Sequence, residues 1–192
     1  MKRSNKLIFN IVLIAIFAAL EFVLTAFVAI PIGLGGYLNF SDFFVFILAS
    51  LFNPIIGGLV GGIAASLSDI YLGYMFFAPF TFVIKFLEGL LAGYLYRFIF
   101  KKSTKYGFLY LKGILSFEIG AILMATLYMI PDYVSFVFIP NSEMTFEILY
   151  VDLLLNFIQG TINAILASVF ILPLNNVLMK TINYKNENDI SK

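Results

Sequence analysis

The stretch "FVIKFLEGLL", residues 82–91, decides how this chain is read. It lies inside an apolar run long enough to cross a bilayer, yet it carries Lys85 and Glu88, three positions apart and so on one face of a helix. A soluble helix would simply expose both charges. The rest of the chain excludes that: 61% of its 192 residues are hydrophobic, only 12% are charged, and the mean hydropathy is +0.99. Soluble domains are roughly half apolar and a quarter charged. The chain therefore reads as an integral membrane protein, and the two charges must be accounted for inside the membrane. Either they form an ion pair that packs their helix against a neighbour, with Asp69 as a third member, or they line a pocket for a polar solute.

Outward from that stretch, a hydrocarbon core about 30 Å thick calls for about 20 helical residues. Six apolar runs fit, bounded by charge, Pro or Gly. They run from about Leu7 to Ile30, over 43–52 (short unless it starts near Tyr37), from Ile55 to Tyr74 after Asn53-Pro54, from Pro79 to about Phe100, from about Phe108 to Ile130, and from about Ile148 to Leu178. Pro173 is expected to kink or end the last. The fold class is thus all-α, a six-transmembrane-helix bundle. Lys2, Arg3 and Lys6 precede the first run; Arg97, Lys101, Lys102, Lys105 and Lys112 separate the fourth from the fifth; Lys180, Lys185 and Lys192 follow the sixth. With six crossings these segments share one side, so both termini are expected to be cytoplasmic. The opposite side receives the first loop with Asp42, the loop around Gly73, and "PDYVSFVFIPNSEMTFE" at 131–147, none with a Lys or Arg. Residues 1–192 read as a single membrane domain with solvated tails at 1–6 and 183–192. The basic start followed by an apolar run reads as a first membrane helix, because the run continues to Ile30 without a small-residue cleavage pattern.

With no Cys and no His, the chain has no thiolate nucleophile, no disulfide, no histidine base and no His or Cys metal site. No basic face for nucleic acid is present, and no metal or cofactor is expected. An intramembrane enzyme would have to work with Asp69, Glu88 and Glu118, without a nucleophile held beside a base. A secondary carrier is less natural in a chain without visible repeats.

Other polar residues inside the runs extend the pattern. Asp152, Asn156, Gln159 and Asn163 step by four, three and four, one stripe of a helix, and three amides on that stripe suit a ligand better than interhelical glue. Asp69 and Tyr74 stand near the outer end of the third run, where a snorkelling carboxylate is the ordinary reading of Asp69. Glu21 reads as structural. Ala15 and Ala19 form a small-residue pair of the kind that lets helices approach closely. The first loop, "PIGLGGYLN" at 31–39, carries three glycines and is expected to serve as a gate.

Taken together, "GGYLNFSDFFVFILASLFNPIIGGLVGGIAASLSDIYLGY", "APFTFVIKFLEGLLAGYLYR" and the alanine pair behind a basic N-terminus resemble the substrate-binding S component of energy-coupling-factor (ECF) vitamin transporters. The resemblance spans residues 5–182 and is to the branch of riboflavin, pyridoxine and hydroxymethylpyrimidine S components. It implies high-affinity capture of a B-type vitamin or precursor in a bacterial cell membrane, for uptake by a complex with a transmembrane coupling subunit and two ATP-binding subunits. Pyridoxine or the pyrimidine is favoured, then riboflavin, then pantothenate. It also implies that Ala15 and Ala19 dock the coupling subunit and that substrate is held by the outer loops and helices four to six; within and beside these, span and polarity single out Asn39, Asp69, Tyr74, Lys85, Glu88, Asn156, Gln159 and Asn163 as the substrate contacts. The absence of a G-x-x-x-x-G-K-[ST] motif agrees with an S component that leaves ATP to its partners.

Overall fold

Asn53-Pro54 sets the sharpest boundary in the chain. Asn53 is extended, its side chain accepts the Ile55 N–H at 2.9 Å, and Pro54 opens the next helix where a missing N–H does no harm. In the computed structural model, which describes residues 3–32, 36–99, 106–139 and 145–190, this turn separates α2 (Ser41–Leu51) from α3 (Pro54–Leu72). Gly73 ends α3 at φ 94°, a left-handed conformation that closes the helix by returning its N–H to the last turn. Before them come α1 (Arg3–Val28) and a two-stranded antiparallel hairpin, β1 (Ile30–Ile32) and β2 (Gly36–Leu38), with Pro31 opposite Tyr37. After them come α4 (Ala78–Tyr94), continued by a π-helical turn Leu95–Ile99, then α5 (Tyr106–Phe138) and α6 (Phe146–Ile190).

Five helical stretches are long and apolar enough to cross a membrane: Ser4–Val28, Pro54–Leu72, Ala78–Phe98, Phe108–Phe138 and Phe146–Leu174. The run expected as a second span is α2, only 11 residues long, too short to cross alone. The hairpin takes the residues that would have lengthened it. One further expectation is corrected: Pro131 does not end α5, which continues through "PDYVSFVF" to Phe138. Pro173 lies inside α6, which continues past it. A proline removes one N–H from the ladder, and packing against neighbouring helices outweighs that loss in a membrane bundle. Lys2, Lys101, Lys102, Lys105 and Lys192, used for the charge asymmetry, Gly33 and Gly35 of the expected gate, and Glu143 lie outside the described residues.

Small residues bring the helices together. An added Cβ on Gly89 would lie 2.6 Å from the backbone nitrogen of Gly58, so α3 and α4 touch backbone to backbone. One apolar core then joins α2, α4, α5 and α6, with Phe46 stacked on Phe117 at 5.0 Å between centroids and Tyr96 stacked on the same ring at 5.6 Å. A second joins α1 to α2 and α3 through Leu13, Leu48, Ile56 and Val60. Helix α1 is the least enclosed: 28% of its membrane window is buried, against 39–56% for the others.

Gly89→Ala should lower the stability of the detergent-purified protein by about 1–3 kcal/mol, because neither backbone can retreat. Gly36→Ala, where nothing lies within 4 Å of the added carbon, serves as the control. Melting followed by circular dichroism should separate the two, and equal midpoints would show that the α3–α4 contact is looser than described.

Candidate functional site

The site begins with one buried cation. Lys85, on the inward face of α4, is 2% exposed, so its ammonium has lost its water and needs carboxylates. Two supply it: Asp42 Oδ1, in direct contact, and Glu88 Oε2 at 3.2 Å, one turn along the same helix. Asp42 sits in the first turn of α2, where the helix N-terminus also favours a negative charge. The predicted Lys85–Glu88 pair is therefore present, but its third member is Asp42, not Asp69.

Asp42 in turn organises α6 and the end of the hairpin. Its Oδ2 accepts from Gln159 Nε2 at 3.1 Å and from Asn163 Nδ2 at 3.3 Å. Gln159 Oε1 accepts the Asn39 N–H at 2.9 Å, Asn163 donates to the Asn39 carbonyl at 3.1 Å, and Asn39 Oδ1 accepts the Ser41 N–H at 2.9 Å. Ser41 Oγ donates to Glu21, which is wholly buried on α1. The short segment 39–42 thus ties α1, α4 and α6 together through side chains that leave few donors unmet.

Beside this network opens a cavity with about 690 Å³ of empty space, open solvent at its mouth included. Its walls come from Tyr37 and Asn39 at the hairpin, Asp69 on α3, and Tyr74 and Phe77 in the α3–α4 turn. Thr81 and Lys85 on α4, Tyr128 and Asp132 on α5, and Asp152, Asn156 and Gln159 on α6 complete them. The Tyr37 hydroxyl donates to Asp69 Oδ1 at 2.6 Å, and its ring lies 5.5 Å from that of Tyr74. Burial, and then the carboxylate beside it, pushes the Tyr37 phenol up from its ordinary value, so it remains a donor. Asp69, read from sequence as a surface carboxylate, is 5% exposed. Tyr128 donates to Thr81 at 3.2 Å and places its ring 5.9 Å from the Lys85 ammonium.

Of the residues singled out in the sequence, Asn39, Asp69, Tyr74, Lys85, Asn156 and Gln159 line the cavity. Glu88 and Asn163 stand behind its wall, holding Lys85 and Asp42. Glu118 does not join them; it accepts from Thr161 at 2.8 Å elsewhere between α5 and α6. Ala15 and Ala19 lie apart, with Ile11, Phe22, Ile63 and Leu67 along a shallow apolar groove between α1 and α3. Asp42, Tyr37, Tyr128 and Asp132 were not singled out as site residues. For Asp42 the signal was a carboxylate opening an apolar helix with no cation of its own; for Asp132 it was the spacing Ala121, Ala125, Tyr128, Asp132, one helical face continuing past Pro131. Among the described residues, no group of three or more acidic side chains is arranged to hold a metal ion.

A family model for the ECF-type riboflavin transporter, S component, matches residues 5–176. The chain belongs to this family. As an S component it is a membrane transporter subunit rather than a member of an enzyme family, and it serves substrate-specific uptake together with a membrane coupling subunit and ATPases. A relative from Pyrococcus woesei, described as an uncharacterized protein in gap 3'region, is 40% identical over 113 residues, 58% of this chain and 70% of the relative. No solved structure matches the S component significantly.

Removing the cation while leaving its acids should be severe. Lys85→Met is expected to destabilise the S component by about 3–5 kcal/mol, with low recovery after purification. The double variant Lys85→Met, Asp42→Asn should regain part of that loss, since it deletes one stranded carboxylate. Thermal melting of the three proteins tests this, and a double variant no better than the single would show that Asp42 is not the partner that matters.

Proposed function

We propose that this S component captures a flat-ring B-type vitamin or precursor in the cavity described above and presents it to an ECF coupling subunit driven by two ATP-binding subunits. The observation that carries the reading is a division of labour: the hairpin, the α3–α4 turn and helices α3 to α6 build the cavity, while α1 contributes nothing to it and instead turns a bare alanine face outward. A chain that only binds needs one polar pocket and one docking surface, kept separate. Asn39, Asp69, Tyr74, Lys85, Asn156 and Gln159 are the proposed substrate contacts, Glu88 and Asn163 hold them in place, and Ala15 and Ala19 mark the docking face.

Orientation follows from the basic residues. Arg97 and Lys112 lie at the end of the bundle away from the hairpin, and Arg97 donates to the Phe52 carbonyl there. That end is proposed to be cytoplasmic, together with both termini, with the cavity opening on the outside of the cell membrane and α2 counted as the sixth, partial span. The aromatic and amide lining suits a small hydroxylated ring such as pyridoxine or hydroxymethylpyrimidine. Riboflavin, the vitamin in the family's description, comes next. Pantothenate, an anion without a ring, comes last beside Asp69, Asp132 and Asp152.

Native mass spectrometry of the detergent-purified protein should release one vitamin per chain. In proteoliposomes, accumulation should require ATP and the partner subunits; accumulation by the chain alone would identify a secondary carrier, and a covalently altered solute an enzyme. Ala15→Leu or Ala19→Leu should leave binding by the isolated chain intact and abolish ATP-driven uptake, since both side chains are exposed and a larger residue there disturbs only a partner.

A further inference from the structure

The charge balance of the cavity narrows the chemistry of the ring it takes, an inference that rests on the capture reading above. Lys85 is the basic residue on the cavity wall, and Asp42 and Glu88 behind it already engage its ammonium. Asp69, Asp132 and Asp152 add three more carboxyl groups to the wall, the first two only 5% exposed. An incoming anion would meet no free cation among these described residues.

One atom turns this surplus into a contact. Asp69 Oδ1 is satisfied by the Tyr37 hydroxyl at 2.6 Å, whereas Oδ2 is buried without a close hydrogen-bond partner, the Thr81 hydroxyl acting on this carboxylate only at longer range. A buried carboxylate oxygen left unmet beside a cavity is an acceptor kept for a donor that arrives with the ligand. Any hydroxyl could meet it, but the surrounding carboxylates and the electron-rich faces of Tyr37, Tyr74 and Tyr128 favour a donor that also carries positive charge. We propose that the bound solute is a ring bearing an amino or ammonium group that donates to Asp69 Oδ2, and that the same wall excludes carboxylated and phosphorylated relatives. Asp69 is then the residue that sets charge selectivity, with Tyr37 holding it in position.

Matched ligands test this without relying on a variant that folds. Pyridoxamine, pyridoxine and pyridoxic acid differ at one ring substituent, which is an ammonium, a hydroxyl or a carboxylate; the hydroxymethyl aminopyrimidine and its oxo analogue form a second set. Calorimetric titration of the purified wild-type chain should place the amine first in whichever set binds, with pyridoxic acid about tenfold weaker than pyridoxamine or worse. Asp69→Asn should narrow that spread, chiefly by weakening the amine. Equal or inverted affinities within a binding set would overturn the inference, as would a spread unchanged by Asp69→Asn. Binding of riboflavin or pantothenate alone would overturn it while leaving vitamin capture standing, and binding of nothing in the panel would remove both.

Discussion

Everything in this bundle depends on one ammonium that has been taken out of water. A lysine in the middle of an apolar helix can be tolerated only where carboxylates reach it, and the carboxylate that does so most directly comes from a different element, the first turn of α2. That requirement fixes where α2 begins, and therefore where the hairpin must end. It draws in Gln159 and Asn163, whose amides satisfy the second oxygen of Asp42, and so sets the rotation of α6. Apolar side chains of similar volume often replace buried ion pairs without loss of stability. The ion pair here is better understood as a locating device than as glue, because its members hold the segment 39–42 against three helices at the rim of the cavity.

The rest of the packing is arranged so that this polar centre can exist. Lipid-facing helices gain nothing from burying leucine against leucine, so contact rests on close approach at glycine and alanine and on the stacked rings of Phe46, Phe117 and Tyr96. Polar groups gather inside the bundle, and apolar side chains cover the outside of every spanning helix, α1 included. Each region suits its own surroundings: a polar lining at the cavity, an apolar face toward hydrocarbon outside.

Much of this was legible in the sequence, for identifiable reasons. Lys85 and Glu88 were recognisable because charge in a hydrophobic run demands an explanation, and their spacing puts them on one helical face. The stripe on α6 could be read from its periodicity. The hairpin could not, since three-residue strands over "IPI" and "GYL" carry no alternation to speak of. Its presence shortened α2 and turned Asp42 from a loop carboxylate into the partner of Lys85. The proline rule led to the other misplacement: Pro131 marks an end in water, where a broken ladder is easily hydrated, but a bundle in lipid keeps α5 going because a free backbone would have nothing else to bond. Asp132 reached the cavity by that continuation.

The short α2 has a further consequence, best expressed as distance. Eleven residues rise about 16 Å, close to half of a hydrocarbon layer about 30 Å thick. Its C-terminal end is held by Arg97 at one end of the bundle, so its other end, with Asp42 and Lys85, stands partway along the bundle. On the proposed orientation, a solute resting against Lys85 would already lie about half a hydrocarbon layer deep, with about 16 Å of bundle rather than the full width of the membrane beneath it.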